Sequence, residues 1–364
     1  MLNLPDLTIV IPFAIPDADQ LPLLTESKAI PLLKNIIRRI DAYHVALEAN
    51  IFTPDVAYER WLAQQLGCVR LPQASLMLVG SGDIETQQYG LGWTALQPVH
   101  LHTALDHLVL TAPAKLNLAI EESQALFEVA QPILSELSSR VLAPTPALWY
   151  MGDEQVQDVL WCSPVRTIGR NIDMWMPSGT KGKLWRQLHN EIQMLWHEHP
   201  VNLARLNRGQ LPVNALWLFG SGALPGLPLA FPFDYIFAND ALLLGIGRSA
   251  DKSVTKLPDN FQQMHTAWRQ AQHPPLNSQM LVWLDALITP AIEQDGAVWL
   301  STLAEYEQSW LYPAYQALCQ RHLQRLRLVL MSEQGCLTLI PQASDRWKFW
   351  RQREISSVFT HLTT

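Results

Sequence analysis

The stretch His197–Gly222, HEHPVNLARLNRGQLPVNALWLFGSG, decides how the rest of this 364-residue chain is read. A helix carrying Arg205 ends near Gly209, a strand holding Asn214 and Trp217 follows, and that strand runs straight into Gly220-Ser221-Gly222. Glycines at the carboxyl end of a strand let backbone N–H groups approach an anion, and ligands of open α/β sheets gather at those ends. The plainer reading is a strand-to-loop turn, because G-x-G without a third glycine and a following helix is a weak fingerprint. Asn202 and Asn214, on either side of the turn, can likewise satisfy buried backbone groups without any ligand. The charge-free run continues from Gly209 to Phe233, long enough to raise a membrane span. Pro212, Pro225, Pro228 and Pro232 with three glycines forbid a continuous helix of about 20 residues there, so a buried strand followed by a loop fits better.

Outward from this stretch, Leu7 to Phe13 (LTIVIPF) is a short, β-branched apolar run that reads as a buried first strand. Leu33, Ile36, Ile37 and Ile40 have helical spacing, with Lys34, Arg38, Arg39 and Asp41 on the other face. Further helices are expected at Asp55 to Leu66, Glu121 to Leu137 and Lys183 to His197. Buried strands are expected at Leu76 to Val79, His107 to Leu110, Ala215 to Phe219, Ala241 to Leu244 and Leu281 to Leu284. Near the end, Leu326, Leu328 and Leu330 alternate with Arg325, Arg327 and Val329, and Gly335 separates that run from Cys336 to Ile340, a hairpin signature. Strands alternating with helices of ten or more residues indicate an α/β core with a largely parallel sheet.

The length suggests about two units at roughly 150 residues each. The chain carries 26 Lys and Arg against 33 Asp and Glu, a formal charge of −7; 16% of residues are charged, 48% are hydrophobic and 14 are Trp. That excludes a disordered chain, and it supplies no overall basic field for nucleic acid or anionic lipid, so neither is expected as a partner. A low-charge, Trp-rich surface is expected to hide apolar area in a partner or a cleft. Cys68, Cys162, Cys319 and Cys336 lie far apart without a CxxC pair, which argues for buried thiols over a zinc knuckle or disulfides. Met1 to Val10 lacks the basic n-region of a signal peptide and carries Asp6, so a cytoplasmic location is expected.

The elements HPVN, Arg205, Gly209, Pro212, Asn214, Trp217 and the G-x-G closely resemble a stretch of archaeal-type, cofactor-independent phosphoglycerate mutases. The likeness extends upstream through Ile168 to Asp173 and Pro177, and downstream through Phe231 to Gly247. With Pro98-Val99-His100, Asp106-His107-Leu108 and the Trp-rich C-terminal part included, the chain also resembles RpfE-type regulatory proteins, which look like a divergent branch of the same superfamily. The resemblance implies an alkaline-phosphatase-like α/β core interrupted by a smaller inserted α+β domain, with residues 1–89 and 186–364 as core and 90–185 as insert. In catalytic members it implies a two-metal site fed by an Asp-Gly after the first strand and by Asp and His residues from the C-terminal half. Two divalent metals hold the entering and leaving oxygens, and each needs several hard or imidazole ligands.

The residues depart from that pattern at the chemistry. Phe13-Ala14 stands where Asp-Gly is expected, Thr25 and Ser27 carry unmarked hydroxyls, and none of His265, His273, His322 and His361 follows an aspartate; Asp285 and Asp295 stand alone. The expectation is therefore a non-catalytic regulatory or binding protein with no cofactor. A ligand-sized cleft for a small phosphorylated or carboxylate molecule is expected around Arg170, His199, Asn202, Arg205, Asn214, Trp217, Gly220, Ser221 and Gly222. Arg166 and Arg170 near Asp173 have either a structural ion pair or an anion to serve. The alternative is an enzyme holding Mn or Zn on His100, His102, Asp106 and His107, since an extended Val99 to Thr103 points both imidazoles the same way. The cluster His189, Glu191, His197, Glu198 and His199 lacks H-E-x-x-H and reads as a solvated helix end. Trp283, Trp299, Trp310, Trp347 and Trp350 are expected in core or interdomain packing, with a protein-partner surface as the alternative. The terminal RWKFWRQR, Arg346 to Arg353, is expected to cap the core with its arginines snorkelling.

Overall fold

A computed structural model of the chain describes residues 4–41, 43–47, 53–82, 91–104, 107–152, 161–176, 179–270, 278–359 and 362. In chain order its strands are β1 (Leu4–Ile11), β2 (Tyr43–Leu47), β3 (Trp93–Val99), β4 (Leu101–Ala104), β5 (His107–Leu110), β6 (Arg140–Thr145), β7 (Leu148–Gly152), β8 (Ala215–Gly222), β9 (Tyr235–Phe237), β10 (Ser253–Thr255), β11 (Gln279–Trp283), β12 (Leu323–Met331) and β13 (Gly335–Leu339). The chain divides into two compact units, one built from Met1–Gly67 with Ala230–Thr364 and the other from Cys68–Leu229.

The first unit is organised by a seven-stranded sheet of order β10-β9-β11-β1-β12-β13-β2. The five strands from β10 to β12 run parallel, and β13 is antiparallel to both β12 and β2. β1 lies near the middle, and Leu4, Leu7, Ile9, Val10 and Ile11 are all at most 1% exposed. A parallel strand covered on both faces reads as a continuous apolar run, which is why LTIVIPF has no polar alternation. Each such side chain contributes roughly 1.5–3 kcal/mol relative to an exposed one. The hairpin read at Gly335 is the β12–β13 pair.

The second unit contains a four-stranded antiparallel sheet of order β6-β7-β3-β8 and a β4–β5 hairpin. β8 is buried along its length because it is packed from both sides. Leu216 and Leu218 join Trp149, Trp185, Ile192 and Trp196 in one core cluster, while Ala215, Trp217 and Phe219 join Trp93, Ala95 and Tyr150 in another. The uninterrupted apolar character of ALWLF follows directly from that two-sided burial.

Two expectations are corrected. β8 is the edge strand of this antiparallel sheet and its glycines do not lie at the end of the parallel one. The runs Leu76 to Val79 and Ala241 to Leu244 belong to the helices Gln73–Ser81 and Ala241–Ser249. Both helices are buried on most sides, and a short apolar run cannot by itself distinguish a buried helix from a buried strand. The two units change over at 67/68 and 229/230. The helix Gln73–Ser81 packs on β8, where the Ser75 hydroxyl donates to the Gly222 carbonyl at 2.5 Å, and β8 pairs with β3, Gln97 opposite Trp217. Those contacts carry the flanks of the expected insert into its core. Among the described residues no helix is long and apolar enough to cross a membrane.

Candidate functional site

The residues of the HPVN stretch come together in the second unit, and their polar groups are taken up within it. His199 caps the helix Pro200–Asn207, its Nδ1 accepting from the Val201 N–H at 3.3 Å. Asn202, 1% exposed, donates Nδ2 to the Trp196 and Val213 carbonyls, each at 2.7 Å, and accepts the Val213 N–H on Oδ1 at 2.8 Å. Arg205 is also 1% exposed; Nε donates to the Leu211 carbonyl at 2.7 Å, Nη2 to the Leu116 carbonyl at 2.5 Å and Nη1 to the Glu122 carboxylate at 2.5 Å. Asn214 exchanges two 2.8 Å bonds with the backbone of Leu101, which fastens β4 beside β8. The Trp217 indole donates to the Cys162 carbonyl at 3.0 Å. Buried polar groups must find partners inside the protein, and here a fork of arginine donors and two asparagines satisfy chain turns.

The G-x-G serves packing. Gly220 has φ +65°, and a Cβ on it would lie 2.7 Å from the Cβ of Gln73; one on Gly222 would lie 2.9 Å from the Cβ of Pro72. Between them, the Ser221 and Thr94 hydroxyls bond each other at 2.7 Å. The glycines thus admit the helix Gln73–Ser81 against β8, a close-approach role. Arg170 is exposed, its Nη1 donating to the Arg166 carbonyl at 3.5 Å, while Arg166 is buried with its guanidinium 5.6 Å from the Trp175 ring centroid.

The His100 and His102 rings stack with centroids 6.1 Å apart. The Nδ1–H of His100 faces the Pro212 carbonyl at 2.9 Å, and His102 Nδ1 lies 3.2 Å from the Thr111 hydroxyl. Burial, with a smaller contribution from His102, pulls the His100 pKa below its ordinary value against the pull of the Pro212 carbonyl. His107 begins β5, opposite Ala104, and Asp106 lies outside the described residues, as do Pro177, His273 and His361. Of the helix-end cluster, His189 is half-buried and stacks on Trp185 at 5.1 Å.

The first unit holds a constellation that the sequence did not announce. In an open parallel sheet the carboxyl ends of the strands form the usual crevice. Asp240 follows β9 and Asp285 follows β11, and those two strands are neighbours, Phe237 opposite Val282. The Asp240 carboxylate caps the next helix, accepting the Leu242 N–H at 2.7 Å. Burial lifts the Asp240 pKa above the ordinary carboxylate range despite that bond, and burial together with the Asp240 charge lifts Asp285. Tyr306 accepts the Ala286 N–H at 2.9 Å, and burial holds its phenol well above the ordinary range. The phenol of Tyr58 is raised by burial, then by Glu59, Asp240 and Asp285. Three acids and two phenols therefore share one electrostatic neighbourhood, a pattern found at functional sites and also in structural networks.

Around them the strand ends carry aromatic rings. Phe13 sits just past β1 at φ +57°, a left-handed conformation that costs a bulky residue about 1–3 kcal/mol. Its carbonyl accepts from the Trp299 indole at 2.8 Å. Tyr58 packs edge-on between Phe13 and Trp283, at 6.4 and 6.1 Å, and Trp61 lies against Trp283 and Phe233. A two-metal centre needs several oxygen or imidazole ligands for each ion. Among the described residues no group of three or more His, Cys, Asp and Glu is placed to hold a metal ion. The described carboxylates at this end, Glu59, Asp240 and Asp285 among aromatic rings, form no such ligand set. Periodicity could not have found it, because Asp240 and Asp285 are joined only by the pairing of β9 with β11.

No protein-family model matches the chain. Over 153 residues, 39% of this chain, it is 28% identical to the 2,3-bisphosphoglycerate-independent phosphoglycerate mutase of Methanosarcina barkeri, of which the match covers 37%. It is 30% identical over 105 residues to the enzyme of that name from Methanosarcina acetivorans, covering 27% of this chain and 26% of that one. The chain thus spans well under half the length of the curated relatives it matches. Among solved structures, the PH0037 protein from Pyrococcus horikoshii aligns over 98% of this chain and 93% of that chain, with a TM-score of 0.55 and 10% identity, a likeness of fold. A cofactor-independent phosphoglycerate mutase from Thermoplasma acidophilum aligns over 92% of this chain and 89% of that chain, with a TM-score of 0.41 and 14% identity. Over part of its length, this mixed α/β chain is homologous to the archaeal-type cofactor-independent phosphoglycerate mutases.

Proposed function

We propose that this chain is a cytoplasmic, non-catalytic binding protein that descends from the phosphoglycerate mutase lineage and works without a resident metal, in the regulatory role that its RpfE-type resemblance implies. The observation that carries this reading is the carboxyl end of the parallel sheet. There Phe13, Tyr58, Trp61 and Trp283 fill the strand ends, with Glu59, Asp240 and Asp285 as acids beside them. Phosphoryl transfer by two metals needs several oxygen or imidazole ligands for each ion, and burial together with the Asp240 charge works against an ionised Asp285 carboxylate. The small phosphorylated ligand suggested by the HPVN stretch finds less support, since Arg205 and Asn202 spend their donors inside the second unit.

The second reading is a metal-dependent phosphatase or mutase, and the coupling of Asp240 to Asp285 is the feature that favours it. Metal analysis of the purified protein separates the two, followed by mutase and phosphomonoesterase assays with added Mn²⁺ or Zn²⁺. The binding-protein reading expects neither stoichiometric metal nor turnover. Stoichiometric metal with activity lost on Asp285→Ala would establish the enzyme, and activity lost on His102→Ala would instead place it at the histidine pair.

A further inference from the structure

The segment Arg346 to Glu354, RWKFWRQRE, holds four basic residues and one acid in a chain of net charge −7. Its aromatic side chains are outside: Trp347 is 64% exposed, Phe349 69% and Trp350 66%. This corrects the expectation that the segment caps the core, which placed Trp347 and Trp350 in packing; Trp283, Trp299 and Trp310 are indeed buried. Single exposed apolar residues need no explanation, but three large rings within four residues form a patch of the kind that marks an interaction surface.

The patch is held in shape. Asp345 is buried and anchors the turn by accepting the Gln342 N–H at 2.8 Å, while the Phe349 N–H donates to the Trp347 carbonyl at 2.9 Å and the Arg351 N–H to the Lys348 carbonyl at 3.0 Å. Downstream, Ile355, Val358 and Phe359 are buried, so the rings stand on a fastened loop. The cations around them are of two kinds. Lys348 is paired with Asp41 and with Asp345, and Arg351 with Asp41. Arg346 and Arg353 have no carboxylate partner among the described residues. Their guanidinium groups lie over the rings of Trp347 and Tyr43, 4.8 and 4.7 Å from the centroids, and the Nη1 of Arg353 is buried without a hydrogen bond. A guanidinium seated over a ring still has donors in the fork that matches a carboxylate.

The same part of the first unit contains a groove of about 530 Å³ lined by buried Leu318, Leu323 and Pro341 and by exposed Arg321 and Arg325. Ala343, the first residue of the 3-10 turn that ends at Trp347, also lines it, so groove and patch adjoin through five residues. Arg325 has a loose pairing with Asp6 at 3.3 Å, on the side chain's exposed surface.

We propose that this face, Trp347, Phe349 and Trp350 with Arg346 and Arg353, docks an acidic segment of a partner protein whose apolar side chains seat in the adjoining groove. Three features choose that occupant. The uncompensated charge is positive, which calls for acids. The residue types on offer are Trp and Arg, the types that dominate protein–protein hot spots, and the one lysine is already neutralised. The segment is a 3-10 turn followed by turns, with Asp41 and Glu354 beside it, and lacks the long amphipathic helix with a basic polar face that lies on anionic lipid. The proposal is independent of whether the sheet end is catalytic.

The test is selection from a randomised 12-residue peptide library on the full chain, repeated with the charge-reversed variant Arg346→Glu/Arg353→Glu and with Trp347→Ala/Trp350→Ala. Arg346, Trp347 and Trp350 are exposed and Arg353 is half-buried, and circular dichroism checks that each variant keeps its fold. Enriched peptides should combine Asp or Glu with Leu, Phe or Trp, and a labelled representative should lose at least ten-fold in affinity to either variant. Phosphatidylserine vesicles and a single-stranded oligonucleotide serve as parallel probes. No enrichment, enrichment without acidic residues, affinity unchanged in both variants, or tighter Trp-dependent binding to vesicles or oligonucleotide would each overturn the proposal.

Discussion

The Arg205 guanidinium meets the Glu122 carboxylate at 2.5 Å, with the arginine side chain 1% exposed and the glutamate 16%. The same guanidinium holds two carbonyls, those of Leu211 and Leu116, so three separate segments of the second unit converge on one side chain. Removing one partner of a buried pair leaves the other charge uncompensated, which costs about 3–5 kcal/mol. Arg205→Ala should destabilise the protein by that amount in urea unfolding followed by tryptophan fluorescence. Arg205→Lys should rescue little of it, because an ammonium cannot reach three acceptors spread as the fork spreads them. A loss under 1 kcal/mol would mean that the cluster does not hold the unit together.

The Glu122 end of this pair sets a pH dependence. Burial alone would raise its pKa, but the Ala119 N–H, Arg205 and Arg208 outweigh burial and bring it below the ordinary value of 4.5. A carboxyl whose folded pKa is depressed contributes stability that is present above its unfolded value and is lost as pH falls through the folded one. The wild-type protein should therefore lose stability as the pH drops below about 4.5, and Glu122→Gln should be less stable at pH 7 and show a shallower acid limb. Thermal melts from pH 3 to 7 check this, and parallel curves for the two proteins would contradict it.

Asp285 has the opposite sign. Burial and the neighbouring Asp240 charge raise its pKa, so its contribution is favourable below the unfolded value of 3.8 and is lost as pH rises through the folded one. Asp285→Asn should thus raise the melting temperature at pH 7 and leave it nearly unchanged at pH 3. Asp240→Asn should gain less, because the Asp240 carboxylate also caps a helix at Leu242. A fall in stability at pH 7 for Asp285→Asn would show that the carboxylate is needed in place.

Two glycines separate backbone strain from crowding. Gly209 and Gly220 have φ of +69° and +65°, but a Cβ on Gly209 would meet nothing within 4 Å while one on Gly220 would lie 2.7 Å from Gln73. Gly209→Ala should cost about 1 kcal/mol for the left-handed backbone alone, and Gly220→Ala should cost clearly more, since the helix Gln73–Ser81 must also shift off β8. Equal costs in urea unfolding would remove the close-approach role assigned to Gly220.

Much of the secondary structure was legible where burial left a pattern. β1 and β8 read as strands because both are covered on two faces, and the helix Ile120–Leu137 read as a helix because one face is buried at Leu126, Phe127, Ala130 and Leu134. The helix Gln73–Ser81 did not, since burial at most of its positions erases the 3.6-residue period. The HPVN stretch stood out for its residue types, but a sequence does not say whether an arginine's donors face a ligand or three acceptors of its own chain. Asp240 and Asp285 were invisible as a pair because only the β9–β11 register joins them. The reach of the second unit was hidden for a similar reason, since residues 68–82 and 186–229 are tied to it through β8 and not through composition.

The central claim, that the strand ends of the first unit no longer carry out two-metal phosphoryl transfer, is tested most directly by one assay. Conversion of 3-phosphoglycerate to 2-phosphoglycerate is followed with the full chain in saturating Mn²⁺, Mg²⁺ or Zn²⁺, alongside Asp285→Ala. The predicted result is no turnover above the protein-free control with any metal, and no difference between the two proteins. Metal-dependent turnover that disappears in Asp285→Ala would contradict the account.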